Sequence, residues 1–114
     1  MEFDSLSEFK KDFEKLLKKY PSLKEDLNLL KQFLNKHPRG FPSRVFPISD
    51  LGIKTEIFKV KKFRCRSLKG SGSNSGIRII YAFFTEEQKI EFIEIYFKGK
   101  QSNHSKDRIL KYYE

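Results

Sequence analysis

The chain has 114 residues, a formal net charge of +9 and a single cysteine, Cys65. This length predicts one domain, residues 1–114, and a lone cysteine excludes both a disulfide framework and a cysteine-based metal cluster. No apolar run is long enough to cross a bilayer and the N-terminal residues do not resemble a signal peptide, so we expect a cytoplasmic protein.

The first third of the chain is predicted to form two helices. Apolar residues recur at steps of three and four over residues 6–20 and again over residues 23–34, which is typical of amphipathic helices. Pro21 separates the two segments, and residues 5–8 and 22–25 both have capping-box spacing. Because the connection is so short, we expect an antiparallel helical hairpin.

The remainder is predicted to be mainly β-structure. Residues 37–53 contain three prolines and two glycines, and we expect an irregular surface connection there. Three strand-like segments follow at residues 55–67, 76–84 and 90–97, joined by a Gly/Ser loop and a polar turn, which indicates an antiparallel meander. Residues 104–114 have the pattern of a short final helix.

These elements predict an α+β fold with its helices gathered on one face of the sheet. An N-terminal helical hairpin would pack on an antiparallel sheet of three to four strands, with a short C-terminal helix after it. Residues 2–4, ahead of the first helix, could supply the fourth strand as a short edge strand.

Positive charge is concentrated between residues 54 and 81. This segment holds eight basic residues and one acid, whereas residues 1–36 hold eight basic and seven acidic groups. A polyanion-binding surface is the interpretation we favour, and the alternatives are a solvated cationic surface, an acidic protein partner or a membrane surface.

Alternation along the first central strand predicts which side chains form that surface. In an extended strand every second side chain points to the same face. One parity would therefore line an open face with Lys62, Arg64 and Arg66. The other parity would face the helix-covered core with Ile57, Phe63 and Cys65.

Arg78 interrupts an otherwise apolar run on the next strand. An arginine is costly to bury without an anion or a hydrogen-bond partner. Arg78 could pair with Glu91 or Glu94 across the sheet, or it could point at a phosphate group.

Three segments together suggest a family. Residues 7–27, SEFKKDFEKLLKKYPSLKEDL, could form one helical hairpin. Residues 63–83, FRCRSLKGSGSNSGIRIIYAF, run from a basic strand through a Gly/Ser loop into a G-x-R-[IV]-[IV]-Y strand. Residues 90–113, IEFIEIYFKGKQSNHSKDRILKYY, contain a strand, a basic turn and a helix. In this order and spacing they resemble the RelE/ParE superfamily of toxins from type II toxin–antitoxin systems, over nearly the whole chain except residues 37–53.

The resemblance implies a ribosome-dependent endoribonuclease that cuts mRNA in the ribosomal A site and needs no metal or cofactor. By position, it implies that the catalytic residues are Lys62, Arg64, Arg78 and Lys98. Further contacts to RNA are expected from Lys59, Lys61, Arg66, Lys69, Tyr96 and Lys100. Gly99 stands where the family has a second arginine. His104 could assist a leaving group or be an exposed residue at the start of the final helix.

The implied partners are the ribosome, mRNA and a cognate acidic antitoxin, with no membrane partner and with an oligomeric state set by the antitoxin complex. The antitoxin is expected to dock beside the final helix, on Arg108, Ile109, Tyr112 and Tyr113, and either tyrosine could be the family's C-terminal one. Two alternatives are a ParE-like inhibitor of DNA gyrase with the same fold, and a non-catalytic relative that binds RNA or only the antitoxin.

Overall fold

A five-stranded sheet with helices on both faces forms the protein, and the computed structural model describes residues 1–114. The elements in chain order are β1 (Glu2–Ser5), α1 (Ser7–Lys19), α2 (Leu23–Lys36), β2 (Val45–Pro47), β3 (Glu56–Val60), β4 (Ile77–Phe84), β5 (Lys89–Phe97) and α3 (Lys106–Tyr113). The predicted α+β class, the helical hairpin and the short C-terminal helix are therefore confirmed. None of the three helices is long and apolar enough to cross a membrane.

The sheet is larger than the predicted three to four strands, and it is mixed. Its order is β1-β5-β4-β3-β2, with β1 parallel to β5 and every other pair antiparallel. The predicted edge strand at residues 2–4 exists as β1. The extra strand, β2, lies inside the segment expected to be irregular, and it accommodates Pro47 because an edge strand can do without one donor.

The helical hairpin covers one face of the sheet. Phe9 of α1 packs on Phe92 with ring centroids 5.3 Å apart, and α2 buries Leu23, Leu27, Leu30 and Leu34 against the same core. Burial of each such side chain stabilises the fold by about 1.5–3 kcal/mol. Neither predicted capping box forms, because the side chains at the N-caps, Leu6 and Ser22, bond no backbone N–H of their helices.

The expectation that all helices share one face of the sheet is wrong. The last helix, α3, lies on the opposite face, where Ile109 is fully buried in a second core with Ile57, Ile80, Ala82, Ile93 and Tyr96. The strands β4 and β5 are apolar at both parities, which is the pattern of a sheet buried on both faces. Only part of the second face is therefore left open.

The first central strand ends earlier than predicted, at Val60 instead of residue 67. The backbone N–H groups of Lys61 and Lys62 both donate to the carbonyl of Arg44, at 2.9 and 3.3 Å. Two residues opposite one are the mark of a β-bulge, which reverses the parity of the chain. As a result the hairpin-side core contains Phe58 and Val60 before the bulge and Phe63 and Cys65 after it, whereas Ile57 faces the other way.

Candidate functional site

A positively charged groove lies where β3 has ended and β4 begins. Its volume is about 440 Å³, and it is lined by Lys61, Lys62, Asn74, Gly76, Arg78 and Lys98. We call this set the anion groove. It contains four cations, no carboxylate and no apolar residue, which suits a ligand with several negative charges and no apolar surface.

Arg78 lies on the same face of β4 as Ile80 and Ala82, which pack against α3, but near the start of the strand, where this face is not fully covered. Its guanidinium Nη1 donates to the backbone carbonyl of Lys61 at 2.9 Å, and it forms no ion pair. The predicted partners Glu91 and Glu94 accept hydrogen bonds from other groups instead. One edge of the guanidinium is thus held in place while its charge has no counterion, which favours the anion-facing interpretation of Arg78 over the cross-strand pair.

Lys62 enters the same groove from the bulge. Its Nζ donates to Oδ1 of Asn74 at 2.6 Å. The end of the Gly/Ser loop that carries Asn74 is itself fixed, because the buried hydroxyl of Ser75 donates to the carbonyl of Phe63 at 2.6 Å. Since an amide oxygen is neutral, this bond orients the ammonium group without cancelling its charge.

Lys98 reaches the groove from the turn after β5. Its backbone N–H donates to the carbonyl of Gly76 at 2.8 Å, which joins the end of β5 to the start of β4. A Cβ added at Gly99 would lie 2.5 Å from Cε2 of Phe97, closer than real contacts allow. The ring of Phe97 therefore leaves no room for a side chain at position 99 unless the ring moves.

Two further residues that were predicted to contact RNA, Lys59 and Tyr96, are near the groove but outside its lining. The Nζ of Lys59 donates to Oδ1 of Asn103 at 2.7 Å, and burial, together with the charges of Lys61 and Arg78, lowers the pKa of this lysine. Tyr96 is buried beside Arg78 in the sheet, and burial raises the pKa of its hydroxyl. Neither residue lines the groove.

The structure separates the remaining predicted residues from the groove. Arg64 lies beyond Lys62 on the side toward α2, since the chain leaves the sheet at Val60 and no longer keeps alternate side chains on one face. Arg66 is paired with Glu25 and Asp26. Lys69, in the Gly/Ser loop, and Lys100, in the turn after β5, are both exposed and both lie outside the groove.

Some residues of the site were missed by sequence reasoning. Asn74 lies in the Gly/Ser loop that was expected to be merely flexible, and Gly76 is the glycine of the G-x-R pattern, for which no part in the site was predicted. His104 is partly buried instead of exposed, its Nδ1 has no hydrogen-bond partner, and burial and the nearby Lys59 lower its pKa.

The predicted antitoxin-docking residues on α3 all have partners inside the protein. Arg108 forms ion pairs with Glu8 and Asp12 of α1, at 3.3 and 2.7 Å. The hydroxyl of Tyr112 donates to Glu8, that of Tyr113 donates to Glu91, and Ile109 is fully buried. These contacts hold α3 against α1 and the sheet, and of the four residues only Tyr112, at 41 %, is exposed.

No protein-family model, curated protein or solved structure matches this chain significantly. Nor do any three histidine, cysteine, aspartate or glutamate side chains gather into a group that could hold a metal ion.

Proposed function

We propose that this protein is the toxin of a type II toxin–antitoxin system, and that it acts as a ribosome-dependent endoribonuclease on mRNA with a cognate acidic antitoxin as its regulator. The observation that carries the proposal is the anion groove, in which four cations converge without a carboxylate or an apolar side chain. Three of the four, Lys62, Arg78 and Lys98, are positions at which the resembled RelE-type toxins have catalytic basic residues.

The groove suits cleavage of RNA by its own 2′-hydroxyl. The 2′-oxygen forms a bond to the neighbouring phosphorus, the bond to the 5′-oxygen breaks, and negative charge builds on the non-bridging oxygens in between. Preorganised cations stabilise that charge best when they need not move as it develops. The hydrogen bonds that hold Arg78 and Lys62 to Lys61 and Asn74 supply this preorganisation.

Proton transfer completes the reaction. The 2′-hydroxyl loses a proton and the leaving 5′-oxygen gains one, so the site needs one acceptor and one donor. In our proposal one of Lys62 and Lys98 reacts as the neutral amine and accepts the proton of the 2′-hydroxyl, the other reacts as the ammonium and donates a proton to the leaving 5′-oxygen, and Arg78 neutralises the phosphate. Arg64 has no part in this scheme, because it lies outside the groove.

Cleavage in a reconstituted translation system tests the proposal. We expect the wild-type protein to cut mRNA on ribosomes, as mapped by primer extension, and Arg78→Ala to slow single-turnover cleavage by roughly 10²–10³-fold, as for loss of one transition-state donor. Lys15→Ala, an exposed residue of α1, is the matched control and should cleave at the wild-type rate.

Two outcomes would overturn the proposal. If Arg78→Ala cleaves as fast as wild type, the anion groove is not the catalytic site. If mRNA stays intact while DNA breaks accumulate with gyrase, the ParE-like alternative is correct.

A further inference from the structure

A second groove lies on the far side of Lys62, between α2 and the strands β2 and β3. Its volume is about 290 Å³, and its floor and walls include the apolar residues Leu29, Leu30, Phe33, Val45, Val60 and Phe63. We call it the apolar groove. Its chemistry is the opposite of the anion groove, which has no apolar lining.

The rim of the apolar groove carries uncompensated positive charge. Arg44, Lys62 and Arg64 are exposed there and none of them forms an ion pair. The one carboxylate in the lining, that of Asp26, is buried and already accepts from Arg66 and Ser22. An occupant therefore meets an apolar floor between cationic edges.

Leu29 adds independent evidence that the groove is unfilled in the free chain. It is a large aliphatic side chain with 54 % of its surface exposed, although it lies on the same helix as four buried leucines. An exposed leucine at the mouth of an apolar concavity offers a contact that a partner would bury.

The aromatic rings of the groove argue against a nucleic acid as occupant. A base would need a free ring face on which to stack. The guanidinium of Arg44 already covers Phe33 at 4.8 Å, and His37 and Phe41 pack against the same ring at 4.9 and 5.3 Å. Phe63 is 2 % exposed.

We propose that the apolar groove binds an acidic amphipathic peptide helix from another protein. The apolar side chains of such a helix, spaced by three and four residues, would fill the groove, and its carboxylates would face Arg44, Lys62 and Arg64. The inference rests on these contacts and not on the proposed function of the anion groove.

A designed peptide with leucines at steps of three and four and glutamates at the other positions serves as the probe. The full chain is titrated into the fluorescein-labelled peptide, and binding is followed by anisotropy and by backbone amide NMR shifts. We expect saturable binding with shifts centred on Leu29, Phe33 and Val45. A peptide with lysine in place of every glutamate should bind at least tenfold more weakly.

Two variants localise the contact, and both change exposed side chains that the fold does not need. Leu29→Glu and Arg64→Glu should each weaken binding by about tenfold or more, whereas Lys15→Glu on α1, with the same charge change, should have little effect. Equal weakening by Lys15→Glu and Arg64→Glu would show attraction by net charge alone and overturn the proposal.

Other results would overturn it as well. Equal affinity for the lysine peptide, or amide shifts centred on Arg78 and Lys98, would place the contact elsewhere. Displacement of the peptide by oligouridylate, with RNA-induced shifts at Leu29 and Phe33, would identify a nucleic acid as the occupant. None of these readouts depends on mRNA cleavage.

Discussion

Gly76 shows how one residue shapes the anion groove. It has a φ of +83°, a conformation in which a side chain is strained, and its carbonyl receives the N–H of Lys98. A Cβ at this position would lie 3.0 Å from Cε1 of Phe97. The glycine thus allows β4 to start beside the end of β5, which brings Arg78 and Lys98 to the same groove.

Gly76→Ala should lower the free energy of unfolding by about 2 kcal/mol, of which the left-handed backbone accounts for about 1–2 kcal/mol. Urea unfolding followed by circular dichroism measures the change. Gly70→Ala is the matched control, because Gly70 has the same kind of backbone, φ +82°, but no atom within 4 Å of an added Cβ. If the two variants lose equal stability, the contact with Phe97 has no energetic weight.

At the scale of single residues, the sequence identified candidate basic side chains, but it did not show which of them share one groove. Lys62, Arg78 and Lys98 were selected by position from the resemblance to the RelE/ParE superfamily, and the structure brings these three side chains to one groove. Arg64 and Arg66 were selected by strand alternation, and that criterion failed because β3 ends at Val60, so that regular alternation does not extend to these two residues.

Among the elements, the start of α2 is fastened to the chain that follows β3. The hydroxyl of Ser22 donates to Asp26 at 2.6 Å and accepts from the N–H of Ser67 at 2.7 Å. Asp26, only 3 % exposed, also accepts from the backbone N–H and Nε of Arg66 at 3.2 and 3.1 Å. This network fixes Arg66 and Ser67 to the start of α2, beside the apolar groove.

Asp26→Ala should lower the free energy of unfolding by about 2 kcal/mol, because it leaves the partly buried hydroxyl of Ser22 and N–H of Arg66 without an acceptor. Urea denaturation is again the measurement. Glu25→Ala, which removes the exposed partner of the same Arg66, should change stability little. Similar losses in the two variants would mean that the burial of Asp26 does not matter.

A helix or strand could be predicted when the pattern that specifies it lies within its own residues, and not when it depends on contacts with distant parts of the chain. The helices carry such a pattern locally, in apolar periodicity, and their existence follows from the sequence. The sequence does not determine which face of the sheet α3 occupies, because β4 and β5 are apolar on both sides and a helix could pack on either. The short strand β2 exists through pairing with β3, a contact that local composition rich in proline conceals.

Over the whole molecule, carboxylates and free cations are segregated. The ion pairs use basic residues outside the anion groove, with partners among Asp4, Glu8, Asp12, Glu25, Asp26 and Glu56. None of the four cations of the groove takes part. The four cations of the anion groove therefore create a local positive potential at one end of the sheet, which would attract a polyanion.

Binding of single-stranded RNA should for this reason weaken steeply with salt. Four phosphate contacts predict a slope of about −3 when the logarithm of the association constant is plotted against the logarithm of the salt concentration, since each contact on a single strand contributes roughly −0.7. Fluorescence anisotropy of a labelled oligouridylate between about 50 and 300 mM salt measures this slope.

The double variant Lys62→Gln/Lys98→Gln should make the slope less steep by about 1.4, because two contacts then release no counterions. Lys10→Gln/Lys15→Gln removes the same charge from α1 and should lower affinity slightly without changing the slope. A slope near zero, or an equal loss of slope in both double variants, would show that the anion groove does not contact the RNA backbone.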